Sequence, residues 1–377
     1  MPHRLRATMV VALVGSLALM LGSPASSVVG PTAAPGPVDG SGGDDVRRLL
    51  DVPFADPGFY TEGRSRYIYS TGHDLASGRA FRVSRYDEAT GKYGLPRASM
   101  LERPKWVGPR GSRHDRGEVH MWGPHVWKRS VPGPRDYVMY FSGSKRGGSD
   151  CIGMAVAETP MGPFVPKPRP MRCTDRGATL IDPAYFRTRG GLRYLVYKRH
   201  HYRPMAVGIW AVRVRPDGTR RAGARPFLVI DGGRRQIEAP SVVARNGRVY
   251  TFASRLRYAS CAYRTVVYVA RALRRPFRSL GTLSLHRRNG QPFCGPGGAE
   301  VRNVQGTYRI VFHAFDKNPE TYPAAPRFVW GGHLRWTDDG RPYAAPVPSP
   351  ARFEPSATVN SSTKSGSSSR SPYSSRS

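Results

Sequence analysis

Three short segments set an acidic side chain beside, or one residue from, a proline at the head of an apolar strand. They are "FADPGFY" with Asp56, "LIDPAYF" with Asp182 and "IEAPSVV" with Glu238. Acidic groups are scarce in this chain, where 59 Lys and Arg face 26 Asp and Glu. A carboxylate in an apolar segment is costly unless it is paired or used. Any one of the three could cap a turn, because Asp before Pro opens turns readily. Counted back from the next aromatic strand, however, they fall together. Asp182 and Glu238 each precede a tyrosine by twelve residues and Asp56 precedes one by eleven, which puts all three at one phase of a repeat. Two separated carboxyl groups, one protonated and one ionised, are what glycoside hydrolysis needs. A third beside the acid keeps it protonated by like-charge repulsion.

The repeat that positions them is visible along the chain. "RYIYSTG", "DYVMYFSGS", "RYLVYKRH", "RVYTFASR" and "TYRIVFHA" are alternating aromatic strands that end in small or polar residues, led by Tyr67, Tyr137, Tyr194, Tyr250 and Tyr308. A Pro- or Gly-bearing strand precedes each one and a third strand follows, with turn signals such as "RPDG" and "TDDG" between units. Five units of three or four antiparallel strands predict an all-β, five-bladed β-propeller. The first strand of each blade would line a central channel and gather the three carboxylates around one axial pocket.

The ends differ from this middle. Arg4 and Arg6 precede the apolar run "MVVALVGSLALML" and then "GSPASS", the pattern of a signal peptide over 1–25 and of a secreted protein. That run is too short to span a bilayer, so no membrane span is expected. Residues 26–45 read as a Pro/Gly/Ser-rich flexible linker, 46–348 as the propeller and 349–377 as a disordered Ser-rich tail. Four cysteines in a secreted chain suggest two disulfides, and local spacing favours Cys151–Cys173 and Cys261–Cys294. The net charge of +33 would attract polyanions. The arginines are scattered rather than clustered on one face, so nucleic acid is not the expected partner. A monomer is expected.

The motifs, in this order and spacing, resemble glycoside hydrolase family 43, five-bladed propeller enzymes of the arabinanase, arabinofuranosidase and xylosidase type, over about residues 50–345. The resemblance implies a general base at Asp56, a pKa modulator at Asp182, a general acid at Glu238 and a plant or cell-wall polysaccharide or oligosaccharide as substrate. "MWGPHVW" is similar to a family segment that would bring Trp122 to the pocket, and His313 in "VFHAF" matches a histidine near its floor. Trp106, in an irregular basic loop, is a further candidate for stacking on a sugar. Many members carry "GPGH" on blade five, where the histidine serves a central metal or water site. Here the stretch is "CGPGGAEV" with Gly298 in that place, so no cofactor is expected and a structural calcium is not supported. His200 and His201 read as a loop edge, since neighbours on a strand point to opposite faces. Two other functions fit the same features: a non-catalytic, lectin-like carbohydrate-binding propeller and a basic cell-wall adhesion protein.

Overall fold

The computed structural model describes residues 46–344 apart from 73–79, 110–118, 175–177, 203, 286, 288–290 and 322–324. The expected signal peptide, linker and Ser-rich tail lie outside the described residues, all of which belong to one compact unit. No α-helix occurs among them.

The strands form five sheets, the blades of a five-bladed β-propeller. The innermost strands are Gly58–Glu62, Met121–Lys128, Ala178–Arg187, Ile237–Arg245 and Cys294–Val304. Each pairs antiparallel with an aromatic second strand: Ser65–Ser70, Tyr137–Ser144, Arg193–Tyr202, Arg248–Arg255 and Thr307–Phe315. All five repeat tyrosines lie on these second strands and are buried. Neighbouring inner strands touch in cyclic order, the first meeting the second and the fifth meeting the first.

The core follows from this geometry. A blade is covered on both faces, so Tyr137–Ser144 and Asp150–Ala157 are buried at every position rather than at alternate ones. The apolar side chains separate into five clusters, one between each pair of successive blades. Blades one and two, for example, meet through Tyr69, Phe81 and Phe141, and truncating such a buried aromatic to Ala costs about 3–5 kcal/mol. Ring closure depends on two residues that no sequence pattern marks. Arg47 and Arg48 pair antiparallel with Gly331 and Trp330, so the first described strand joins the last blade. Both expected disulfides are formed, Cys151–Cys173 and Cys261–Cys294.

Candidate active site

Each blade has a residue in the left-handed backbone region at the same place, on the inner strand or, for Asp56, two residues before it: Asp56 (φ 49°), Gly123 (61°), Asp182 (54°), Ala239 (50°) and Gly298 (60°). In blades two to five the ladder register slips there. Proline follows in four of the five, at 57, 124, 183 and 240, and a bulge tolerates it because the ladder requires no N–H at that point. This corrects the phase read from the sequence. Asp56 and Asp182 are equivalent to each other and to Ala239; Glu238 lies one residue earlier and pairs opposite Ser254, the position that Trp122 holds opposite Ser142.

Left-handed backbone disfavours side-chain-bearing residues by about 1–2 kcal/mol each, so something must hold these bends. The amide of each bulge residue donates a hydrogen bond to a side chain of the preceding blade. Gly123 N donates to Thr71 Oγ1 (3.4 Å), Asp182 N to Ser142 Oγ (2.9 Å), Gly298 N to Ser254 Oγ (2.9 Å) and Asp56 N to His313 Nδ1 (3.0 Å). Ala239 N donates instead to the carboxylate Oδ2 of Asp182 (2.9 Å).

The bulges turn these residues into an axial cavity of about 1020 Å³, where Asp56, Trp122, Asp182 and Glu238 all reach the wall. Asp56 Oδ1 accepts from Arg327 (2.7 Å) and Oδ2 from the Thr71 hydroxyl (2.7 Å). Burial alone would raise this carboxyl, but Arg327, His313 and Thr71 outweigh burial and hold it below the usual range. Asp182 has no such cation in hydrogen-bonding contact. Burial first, and then the charge of Glu238, push it up to about 7, against the opposing pull of Lys198. Glu238 is buried and receives three donors: Lys198 Nζ (2.8 Å) and Gln236 Nε2 (3.1 Å) on Oε2, and the Tyr263 hydroxyl (2.8 Å) on Oε1.

The structure divides the other predicted residues. Trp122 lines the cavity, edge-on to His120. His313 does not; it is 1% exposed and sits behind Asp56. Burial, helped by Arg327, drives it down to about 3. The ring is therefore neutral, and accepting from Asp56 N at Nδ1 assigns its proton to Nε2. Trp106 is not at the site either. It stacks on Phe141 (centroids 6.1 Å, 13°) against the core between blades one and two. His200 and His201 belong to a strand rather than a loop edge, and His200 lines the cavity.

Sequence reasoning missed Lys198, Tyr263, Arg327 and Thr71. Thr71, Ser142, Lys198, Ser254 and His313 lie four or five residues after the repeat tyrosines, so aligning the strand ends would have drawn attention to four of the five latch side chains and to Lys198. The last two glycines of "CGPGG" also have a use. A Cβ on Gly297 would fall 2.0 Å from the Tyr263 ring, and one on Gly298 would fall 2.9 Å from His313 Cε1. The space at Gly298 is thus taken by the His313 ring, and no group of three His, Cys, Asp or Glu among the described residues is placed to hold a metal ion.

Fold and site together define a propeller protein whose axial pocket brings three carboxyl groups into distinct electrostatic surroundings. The sequence pattern of the glycosyl hydrolases family 43 matches residues 110–342, and the chain belongs to that family. A "Xylosidase/arabinosidase 43A" of Humicola insolens is 29% identical over 153 residues, a match spanning 40% of this chain and 44% of that protein. A thermostable family-43 glycoside hydrolase superposes with a TM-score of 0.63 at 21% identity, over 81% of this chain and 98% of the other. An α-L-arabinanase of Cellvibrio cellulosa, solved with arabinohexaose, gives 0.58 at 20% identity, over 78% and 95%.

Proposed function

We propose that this chain is a secreted, inverting glycosidase acting on arabinose- or xylose-containing polysaccharides. One observation carries the reading: two carboxyls in one cavity are tuned in opposite directions, Asp56 held low and Asp182 pushed up to about 7. Titratable groups whose surroundings separate their proton affinities are the mark of an acid–base pair. Asp56 is ionised at neutral pH and serves as the base that takes a proton from water. Asp182, buried and facing the charge of Glu238, keeps its proton up to about pH 7, because like charges in one buried site do not both ionise readily. Glu238, held by Lys198, Gln236 and Tyr263, delivers a proton to the leaving glycosidic oxygen, and Asp182, bonded to the neighbouring Ala239 amide, orients it.

Around these groups, Arg327 and Thr71 fix both oxygens of Asp56, while Tyr263 and Lys198 fix those of Glu238. Trp122 offers an apolar face for a sugar ring. The arabinose and xylose reading is supported by the names of the similar proteins, and secretion by the leader pattern and the two disulfides. The test is proton NMR of the first sugar released from aryl α-L-arabinofuranosides and β-D-xylosides. Inversion at the anomeric carbon is expected. Retention would take the water-activating role from Asp56 and make it a nucleophile.

A further inference from the structure

Four of the five bulge amides are held by a neutral acceptor, a hydroxyl or an imidazole, on or directly after the second strand of the preceding blade: Thr71, Ser142, Ser254 and His313. The acceptors stand at matching places. Ser142 pairs opposite Trp122, Ser254 opposite Glu238 and His313 opposite Gly297, each partner lying one residue before its bulge. In blade three that place belongs to Lys198, opposite Ile181. A lysine has three donors and no acceptor, so it cannot receive the Ala239 amide. It reaches the next blade in the reverse sense and donates to Glu238 Oε2 at 2.8 Å, and Asp182 takes the Ala239 amide in its place.

We propose that Lys198 is a positioning residue that joins Asp182 and Glu238 into one unit, holding the Glu238 carboxyl on the cavity wall and leaving the inter-blade latch to Asp182. The inference rests on the glycosidase reading for its catalytic consequence. Lys198 is 2% exposed, and a buried lysine is costly to keep without a use for its charge. A serine there would complete the blade contact, as in blades two and four, without placing any charge. The lysine is therefore an exception within a repeated structural device, and it falls at the interface between the two carboxyls.

Several groups face this unit. Gln236 is neutral, and Tyr263, raised far above its ordinary value by burial and Glu238, remains a donor. His200, lowered by burial and Lys198, is neutral near pH 7. Asp56 lies across the cavity, and its charge opposes that of Asp182. Lys198 is thus the cation in direct contact with the unit, and its removal lets Asp182 keep its proton to higher pH.

The experiment uses the full chain with Lys198→Ser, which restores the hydroxyl that blades two and four use, and Lys198→Met, which is apolar. Carboxyl carbon-13 NMR follows the Asp182 titration, assigned with Asp182→Asn, alongside pH profiles of kcat and KM. The Asp182 midpoint should rise, because the Lys198 charge that pulls it down across the unit is gone. The alkaline limb of kcat should move up with it. At the wild-type optimum kcat should fall by about tenfold or more while KM changes by less than about threefold, because an orientation effect acts on the transition state. If the Asp182 midpoint stays where it is in the serine variant and only thermal stability changes, Lys198 is a structural filler and the proposal is overturned. A wild type that hydrolyses no glycoside while its Asp182 midpoint still responds to Lys198 would uphold the joined pair and overturn the glycosidase reading instead.

Discussion

His313 gives a prediction whose size follows from the structure. It is neutral, buried and held by the Asp56 amide, with a value of about 3 against an ordinary 6.5. A histidine whose folded value is depressed stabilises the fold fully above its unfolded value, and that stability is lost as pH falls, because the unfolded chain takes up the proton first. Lowering the pH from 7.5 to 5 should therefore cost about 2 kcal/mol through this residue, and about 4 kcal/mol by pH 3, at about 1.4 kcal/mol per unit. The perturbation is His313→Gln, whose side-chain oxygen can still accept from Asp56 N but cannot gain a charge. The assay is urea unfolding of both proteins at pH 7.5, 6 and 5. The wild type should lose about 2 kcal/mol more than the variant across this range. Contributions common to both, such as that of buried His125, also lowered chiefly by burial, cancel in the difference. Equal slopes would refute the reasoning, since His313 would then bind its proton as easily folded as unfolded.

Other expectations follow from the same contacts. Arg327→Met removes the largest of the contributions that together outweigh burial at Asp56, so the acid limb of kcat/KM should rise by about one unit or more; an unmoved limb would dissociate Asp56 from that limb. Asp182→Asn removes the group that titrates near 7, so the alkaline limb should fall, and a pH profile identical to wild type would contradict its role. Replacing Cys151 and Cys173 by serine opens a link across 22 residues and should cost roughly 3 kcal/mol in denaturant unfolding. A loss within error of zero would contradict a stabilising role for that link.

Much of this was legible because a propeller repeats its unit and each blade needs the same large side chain between its neighbours. The five tyrosines therefore carried the blade count, and local spacing carried both disulfides. The phase of Glu238 was misread for a physical reason. Counting from the tyrosine runs through the hairpin between first and second strands, and that turn is longer after Arg187 than after Arg245. The proline after each bulge, not the tyrosine, marks the true phase. Trp106 misled because a lone aromatic in a loop carries no periodic information, and its ring fills core space. His313, expected near the pocket floor, lies behind the cavity wall and acts through the backbone of Asp56, a contact across 257 residues of sequence. Lys198 was hidden in the basic run "YKRH", where charge suggested solvent although the strand-end position was already marked by its serine counterparts. The ring-closing pair Arg47–Arg48 is too short to show any period.

In the proposed reaction the axial carboxyls perform hydrolysis with Asp56 as the base. Its most direct measurement compares wild type with Asp56→Asn on an activated aryl α-L-arabinofuranoside and β-D-xyloside, with binding of the unhydrolysed oligosaccharide measured in parallel. An activated leaving group needs little help from an acid but still needs the activated water. The wild type should hydrolyse at least one of the two, and the variant should lose on the order of 10²–10⁴-fold in kcat, the usual worth of a general base, while still binding the oligosaccharide. Equal turnover by both proteins, or no hydrolysis by either alongside intact binding, would contradict it, the second result pointing to a carbohydrate-binding propeller.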